Sequence, residues 1–313
     1  MAQQMLAVVK QNGTAEVRQV PVPSVRGPEE LIVRVMQAGI CRTDLLAADN
    51  RLPTNETVIL GHEFSGIVQA AGAQVRRLRE GDRVTVNPIG ACKACPRCRD
   101  SDETNCLDPA FLGLRRDGAF AQFVRVPQAE VFKLPESLPF AYGAYAEPVA
   151  AVLAIFNAGI RPDERGLVCG TNRIAKLVER VLRAKGFQLI ECADAPESLR
   201  APAGGYDFAI EISPTPEHFA LMLQAIRPKG KIILRSRVHQ HVEFPLQLAL
   251  PKEPVIHVVN YGSFQEAVDL LAARAMDLDD LLGRQYPLEA FPKAFADART
   301  SEANKLFFAI GTD

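Results

Sequence analysis

The sequence predicts an α/β protein with a β-rich part and a second part in which helices alternate with the strands of a parallel sheet. Residues 1–130 contain short apolar runs broken by Gly, Pro and Asn, such as LIVRVMQAG and DRVTVNP. This spacing is typical of a barrel or sandwich. From about residue 145, strands alternate with helical stretches, the pattern of a doubly wound parallel sheet. The 313 residues are enough for two domains with cores of their own.

The elements of the second part follow one another in a repeating order. GLVCG predicts a strand and a turn, and a helix follows with apolar residues at helical spacing as far as Gly186. FQLIEC, YDFAIEIS, KGKIILRS and PVIHVVNYG are predicted strands, with a helix over 216–227 between the second and the third. The tail, from SFQEAVDLLAARA to NKLFFAIGTD, predicts two helices and a closing strand.

Charge and composition exclude several classes of partner. The formal net charge of −1 argues against nucleic acid or an anionic membrane surface as the main partner. No apolar run approaches about 18 residues, the length that a membrane span needs. The N-terminus lacks the features of a signal peptide, so we expect a cytoplasmic protein. Seven cysteines in such a chain indicate metal binding rather than a disulfide framework.

Four of these cysteines lie within CKACPRCRDSDETNC, with the spacing C-x2-C-x2-C-x7-C: Cys92, Cys95, Cys98 and Cys106. Zinc in structural sites prefers four soft ligands in a tetrahedron, and this spacing can supply them. The alternatives are free thiols on a surface loop, or an iron–sulfur cluster, whose usual cysteine spacings fit poorly. A site closed by four thiolates holds a loop and carries out no chemistry.

A second set of candidate ligands is spread along the chain. Cys41 lies in GICRTD, His62 in GHEFSGIV and Glu147 in YAEPVA. Together they supply a thiolate, an imidazole and a carboxylate, which would leave a fourth position for water or substrate as in catalytic zinc sites. Taken singly, His62 is better explained as a hydrogen-bonded structural histidine and Cys41 as a small buried hydrophobe. The combination favours metal.

In combination, GICRTD, the GHE histidine 21 residues after the cysteine, the four-cysteine loop and AEP resemble the zinc-dependent medium-chain alcohol dehydrogenase/reductase family. The resemblance covers nearly the whole chain. It implies a GroES-like zinc catalytic domain at 1–152 plus 262–313, and a truncated Rossmann-like nucleotide-binding domain at 153–261. It also implies two zinc ions per chain, a small-molecule substrate, and assembly into a homodimer or homotetramer.

The resemblance also implies roles around the catalytic zinc. Glu147 stands where relatives have a cysteine or a glutamate, and Glu63 would lie behind the metal. Asp44 corresponds to the carboxylate that orients the zinc histidine. Thr43 would contact the alcohol oxygen, although an ordinary helix-start residue is the alternative. Relatives often carry a proton-relay histidine five residues after the zinc cysteine, where this chain has Leu46.

The dinucleotide fingerprint Gly-x-Gly-x-x-Gly is degenerate in this chain. The candidate cofactor-binding residues are Gly170, Thr171, Asn172, Arg173, Ala175 and Asp194. Gly170 and Ala175 keep the first and third glycine positions, whereas Asn172 replaces the second, through which the backbone approaches the pyrophosphate. Asparagine tolerates the left-handed backbone conformation, so we expect the turn itself still to form. ECADAPES contains no basic residue, which favours NAD over NADP.

The Rossmann-like sheet is also expected to be shortened by about one strand. Only 13 residues, 193–205, separate Cys192 from Tyr206, where a family member has a helix, a strand and another crossover. A single βαβ crossover needs at least about 10–12 residues, and this segment contains two prolines and Gly-Gly. We therefore expect one loop or short turn, and weakened contacts to the adenosine half of a cofactor.

These observations favour a zinc-dependent oxidoreductase that transfers a hydride between a nicotinamide cofactor and a small alcohol, polyol or sugar-like substrate. The alternative is a zinc-dependent lyase or hydrolase on the same scaffold that has lost or repurposed the dinucleotide site. A non-catalytic binding protein is the third hypothesis. His239 and His241 would line the cofactor side or face solvent if RSRVHQH is a strand.

Overall fold

The computed structural model describes residues 3–237, 241–300 and 303–311. Its strands, in chain order, are β1 (Gln4–Gln11), β2 (Thr14–Pro21), β3 (Glu30–Gly39), β4 (Thr57–Ile59), β5 (Glu63–Ala71), β6 (Arg83–Val86), β7 (Ile89–Gly90), β8 (Ala110–Phe111), β9 (Phe123–Pro127), β10 (Val131–Lys133), β11 (Gly166–Cys169), β12 (Ile190–Ala193), β13 (Tyr206–Glu211), β14 (Ile226–Leu234), β15 (Val255–Val258), β16 (Leu282–Tyr286) and β17 (Lys305–Ala309).

The α-helices are α1 (Arg42–Ala48), α2 (Pro96–Arg99), α3 (Phe140–Ala144), α4 (Ala146–Leu153), α5 (Arg173–Ala184), α6 (Pro216–Ala225), α7 (Leu246–Ala249), α8 (Phe264–Ala272) and α9 (Phe291–Thr300). Short 3-10 helices span Glu103–Asn105, Gln128–Glu130, Ala154–Ala158, Pro196–Ser198, Asp279–Leu281 and Leu288–Ala290. None of the helices in the described part of the chain is long and apolar enough to cross a membrane.

Internal contacts divide the chain into two compact units. Unit 1 comprises Met1–Pro148, Leu271–Ala273 and Asp279–Asp313, and unit 2 comprises Val149–Leu270 and Arg274–Leu278. The division into a zinc domain at 1–152 plus 262–313 and a nucleotide domain at 153–261 stays a prediction about function.

Unit 1 is built on open, mixed sheets. The largest has the order β10-β6-β5-β3-β17-β16, with β9 also pairing with β3, and smaller sheets are β2-β1-β4 and β7-β8. A closed barrel, one of the two arrangements expected, is therefore wrong, because β10 and β16 are edges of this sheet in the described part of the chain. Strand β16 also pairs with β17 in parallel. The sequence pattern reveals individual strands but not their partners: β3 pairs along one edge with β9 and further on with the distant β17.

Unit 2 contains a five-stranded parallel sheet with the order β12-β11-β13-β14-β15. Helix α5 packs on β11 and β12. Residues of α6 such as Phe219 and Met222 pack with Leu167 and Cys169 of β11. The strand order reverses between β11 and β13, the position at which open α/β sheets bind their ligands.

The predicted shortening of this sheet is confirmed. Strand β12 lies at the edge, and no further strand pairs with it in the described part of the chain. The segment that follows it contains only the 3-10 helix Pro196–Ser198 before β13 begins. The remaining strands and helices of unit 2 lie close to their predicted positions. RSRVHQH is not a strand at Arg235–Arg237 or at His241, and His239 lies outside the described residues.

Candidate zinc and cofactor sites

The four-cysteine loop brings its sulfur atoms together. All four Sγ atoms lie within 4.8 Å of one another. The separations are 3.9 Å for Cys92–Cys98, 3.5 Å for Cys95–Cys98 and 4.0 Å for Cys95–Cys106. A tetrahedron of sulfurs about 2.3 Å from zinc has edges of about 3.8 Å. The cluster therefore has the size that a zinc ion requires.

The backbone around this cluster favours thiolates. Amide groups donate to the sulfurs, as from Cys95 N to Cys92 Sγ at 3.3 Å. Backbone hydrogen bonds from Leu107 and Cys98 lower the pKa of Cys95 to about 6. Burial raises the pKa of Cys98 to about 12, so this sulfur needs a cation nearby in order to ionise. Helix α2, which begins at Pro96, places Cys98 on the inner side of the loop.

The second cluster is organised by Asp44, a carboxylate in the first turn of α1 that is only 1% exposed. Its Oδ2 accepts a hydrogen bond from Cys41 N–H at 2.8 Å, and its Oδ1 accepts one from Gly61 N–H at 3.2 Å. Oδ1 also lies 3.2 Å from His62 Nδ1. One side chain thus fixes the backbone at Cys41 and the His62 ring, leaving His62 Nε2 for another partner.

The backbone conformation just before His62 depends on Gly61. Its φ of +98° lies in the region that favours glycine, and a Cβ there would approach Phe120 Cδ1 to 2.5 Å. The ring of Phe111 packs edge-on to the His62 imidazole at 5.1 Å between centroids. The GHE segment is therefore held by packing as well as by hydrogen bonds.

The electrostatics of this cluster favour ionised ligands. Burial would raise the pKa of Cys41, but a hydrogen bond and the charge of His62, together with Lys305, lower it to about 6. Burial would likewise lower the pKa of His62, which Asp44 and Cys41 instead hold well above its usual value. These pKa shifts favour a Cys41 thiolate beside a protonated His62, and a metal ion that bound both side chains would displace the His62 proton.

Glu63 completes the group within ligand distance. One ligand atom from each of Cys41, His62 and Glu63 lies within 4.8 Å of the other two. Glu63 forms an ion pair with Lys305, and both side chains are 2% exposed. Burial raises the pKa of Glu63 to about 7 even though the Lys305 charge opposes the change. A Cβ at Gly39 would lie 2.7 Å from Lys305 Cε, so Gly39 provides the space for this pair.

Three other residues discussed for the catalytic zinc site are Glu147, on α4, and Thr43 and Leu46, on α1. Glu147, in the first turn of α4, is 4% exposed, and its charge raises the pKa of Cys41. It is outside the 4.8 Å group, in which Glu63 is the carboxylate. Thr43 and Leu46 are half-buried on α1.

The predicted cofactor residues lie at the carboxyl ends of β11 and β12. Gly170 has a φ of +143°, and its N–H donates to Ala193 O at 2.9 Å. Asn172 is not left-handed, as the sequence suggested, but extended, with φ −72° and ψ 178°. Its side-chain oxygen caps α5 by accepting from the N–H groups of Ile174 at 2.9 Å and Ala175 at 3.1 Å.

Asp194 directly follows β12, and its carboxylate accepts a hydrogen bond from the Thr171 hydroxyl. His218 Nε2 lies 3.8 Å from Asp194 Oδ1. Arg173 is the first residue of α5, and its buried Nε has no hydrogen-bond partner. Five of the six predicted residues therefore lie in the turn and helix start after β11, and Asp194 contacts this turn from the end of β12. Asn172, Thr171 and Asp194 already form hydrogen bonds within the chain.

Comparison with known proteins supports this architecture. Residues 27–136 match the alcohol dehydrogenase GroES-like domain. Sorbitol dehydrogenase of Bacillus subtilis strain 168 is 29% identical over 92% of this chain and 91% of its own length. D-xylulose reductase A of Aspergillus niger is 26% identical over 92% of both chains. A crystal structure described as a zinc-binding dehydrogenase of Sinorhizobium meliloti 1021, bound to NADP, shares 26% identity with a TM-score of 0.90, covering 98% of this chain and 99% of its own.

The chain therefore contains an alcohol dehydrogenase GroES-like domain and is similar over nearly its whole length to polyol dehydrogenases. It is an oxidoreductase enzyme. The sequence located Cys41, His62 and Asp44, which the structure places together. Sequence reasoning missed Lys305, whose only signal is a charged residue at the start of the apolar run KLFFAI.

Proposed function

We propose that this protein is a zinc-dependent oxidoreductase that transfers a hydride between a small polyol or sugar-like alcohol and a nicotinamide dinucleotide. The observation that carries the proposal is the group of half-buried Cys41 with buried His62 and Glu63, organised by Asp44. The polyol class is supported by relatives named sorbitol dehydrogenase and D-xylulose reductase A.

We assign two zinc ions to the chain, one to each cluster. Cys92, Cys95, Cys98 and Cys106 would hold the structural ion, since their sulfurs have the separations that zinc requires. Cys41 and His62 would hold the catalytic ion, with Glu147 or Glu63 as the carboxylate. Four thiolates leave no open position, whereas the second donor set leaves room for a substrate oxygen.

When bound, zinc would act as a Lewis acid towards the alcohol oxygen, and a nicotinamide would take up the hydride that no side chain can accept. The chain's own residues position this chemistry. Asp44 fixes the orientation and tautomer of His62, and Lys305 holds the Glu63 carboxylate in place. Thr43 is the hydroxyl that we assign to the alcohol proton, and Leu46 cannot extend a relay from it.

The cofactor residues that we propose are Gly170, Thr171, Asn172, Arg173, Ala175 and Asp194. We favour NAD, because Asp194 is the acidic residue that directly follows β12 and a carboxylate there suits a free ribose hydroxyl. The alternative function, a zinc-dependent lyase or hydrolase, is favoured by one observation. Asn172 occupies the backbone donors that a dinucleotide would use.

One experiment separates these functions. The purified protein is assayed for reduction of NAD and NADP at 340 nm with sorbitol and xylitol, and its zinc content is measured. Cys41→Ser should abolish turnover and remove one of two zinc ions. The control Cys192→Ser, which also removes a half-buried cysteine, should keep both ions. Absence of nicotinamide reduction by the two-zinc protein with either polyol would favour the lyase or hydrolase.

We also propose that this protein forms a homodimer through β15. This strand is an edge of the parallel sheet, and Val255, Ile256 and Val258 on it are 49%, 44% and 81% exposed. An apolar edge strand invites pairing with another strand. The mass in solution from light scattering should be twice that of the chain, and Ile256→Lys should reduce it to one chain. A cytoplasmic location stays a prediction.

A further inference from the structure

At the first turn of α5, the backbone N–H groups with which such a turn binds a dinucleotide already have a hydrogen-bond partner within the chain. In the Gly-x-Gly-x-x-Gly fingerprint, the second position has no side chain, so that backbone N–H groups at the helix start can face the pyrophosphate. Here that position is Asn172, and its side-chain oxygen accepts hydrogen bonds from Ile174 N–H at 2.9 Å and Ala175 N–H at 3.1 Å.

The cap and the diphosphate need the same donors. An N-cap side chain satisfies backbone N–H groups that otherwise have no partner within the helix. A phosphate oxygen can reach these two N–H groups only after the Asn172 side chain has rotated away. The backbone of Asn172 is in the extended region, with φ −72° and ψ 178°, so glycine fits there without a change of backbone conformation.

The side chains that would bind the cofactor's ribose also interact with other residues of the chain. The Thr171 hydroxyl donates to the Asp194 carboxylate, and His218 lies 3.8 Å from it. Beyond β12, no strand in the described part of the chain provides a wall for an adenosine. These features lower cofactor affinity independently of Asn172, so its removal should restore only part of the affinity.

We propose that Asn172 sets the affinity of this chain for the diphosphate of a dinucleotide, because its side chain occupies the diphosphate's place at the start of α5. The inference rests on the proposed function insofar as the natural ligand is a nicotinamide dinucleotide. It identifies one residue through which cofactor affinity is lowered without any change at the zinc clusters.

The test is calorimetric binding of ADP-ribose to the full chain and to Asn172→Gly. ADP-ribose carries the diphosphate and adenosine but no nicotinamide, so binding is measured without turnover. Loss of an N-cap interaction of this kind corresponds to a gain of roughly two- to fivefold in affinity. Adenosine, which has no diphosphate, should bind both proteins equally.

Two further variants separate the cap from other effects of the substitution. Asn172→Ser keeps an N-cap oxygen and should bind ADP-ribose like the wild type. Asn172→Asp keeps the cap and adds a negative charge, so it should bind more weakly. Circular dichroism establishes that each variant is folded.

Equal or weaker binding of ADP-ribose by folded Asn172→Gly overturns the inference, and so does an absence of binding by both proteins. The proposed function is judged separately by polyol-dependent reduction of NAD. If the wild type reduces NAD but Asn172→Gly binds ADP-ribose no more tightly, only the inference is refuted. If Asn172→Gly binds ADP-ribose more tightly but neither the wild type nor any variant reduces NAD, only the proposed function is refuted.

Discussion

Asp44→Asn is the substitution that most directly tests the proposed catalytic site. The carboxylate of Asp44 accepts from Cys41 N–H at 2.8 Å and Gly61 N–H at 3.2 Å, and it contacts His62 Nδ1. An amide has nearly the same shape but only one acceptor atom, so at least one buried donor loses its partner. An unsatisfied buried donor costs about 1–3 kcal/mol. We therefore expect the free energy of unfolding to fall by about 2 kcal/mol, and Tm by about 4–8 °C.

The same substitution should weaken one zinc site selectively. Loss of a group that orients a metal-binding histidine typically lowers metal affinity by about 10–100-fold. Competition with a chromophoric chelator, monitored as zinc is withdrawn, should show early release of one ion and unchanged retention of the other. Thermal unfolding followed by circular dichroism gives the stability.

The matched control is Asp82→Asn. Asp82 is also buried, accepts Arg79 N–H at 3.0 Å and pairs with Lys133 at 2.6 Å, but it contacts neither cluster. The Asp82→Asn variant should lose stability but bind both zinc ions with wild-type affinity. The reasoning is refuted if Asp44→Asn retains wild-type affinity for both ions, or if both substitutions weaken zinc binding equally.

Two other substitutions test the remaining parts of unit 1. Lys305→Met should raise the pKa of Glu63 above its present value of about 7. A carboxyl whose folded pKa exceeds its unfolded value loses stability as pH rises, by up to about 1.4 kcal/mol per pH unit. In urea unfolding of EDTA-treated protein, the deficit against the wild type should therefore be larger at pH 8 than at pH 6; equal deficits would contradict the Glu63 assignment. Cys98→Ser should halve the zinc content by emptying the four-cysteine loop, and an intact content of two ions would contradict that assignment.

Features encoded within a short stretch could be predicted from the sequence. The spacing of Cys92, Cys95 and Cys98 is local, so the loop that carries them brings the sulfurs together whatever the rest of the chain does. The shortened parallel sheet followed from chain length, since 193–205 has too few residues for a strand with two crossovers. Asp44 and Cys41 lie within one helix start, where a carboxylate three residues on commonly bonds back to the N-cap backbone.

Features that depend on distant strand pairing could not be predicted in this way. Lys305 meets Glu63 because β17 and β5 both pair with β3, and Gly39 on β3 leaves the space for the pair. A lysine within a strand ordinarily indicates a solvent-facing position, so its burial was invisible in the sequence. The same limit explains the error over the barrel, because strand partners are set by the whole fold.

Asn172 shows a different limit. The sequence correctly marked it as a departure from the fingerprint, but attributed its tolerance to left-handed backbone. The structure shows extended backbone and a side chain turned back onto the helix. Asparagine suits both roles, and the choice between them depends on the φ of a single residue.

The two units have departed from the family pattern to different degrees, and this has a kinetic consequence. In unit 1, Cys41, His62 and Glu63 lie within ligand distance of one another, and Asp44 contacts His62, so the groups that we propose to act on the reacting atoms are close together. In unit 2, the changes affect groups that would hold the diphosphate and ribose, which take no part in the transfer itself. Binding lost equally from ground state and transition state raises KM and leaves kcat unchanged. The cap at Asn172 should therefore appear as a high KM for the dinucleotide with an ordinary kcat, since the helix start contacts the cofactor in the same way before and during hydride transfer.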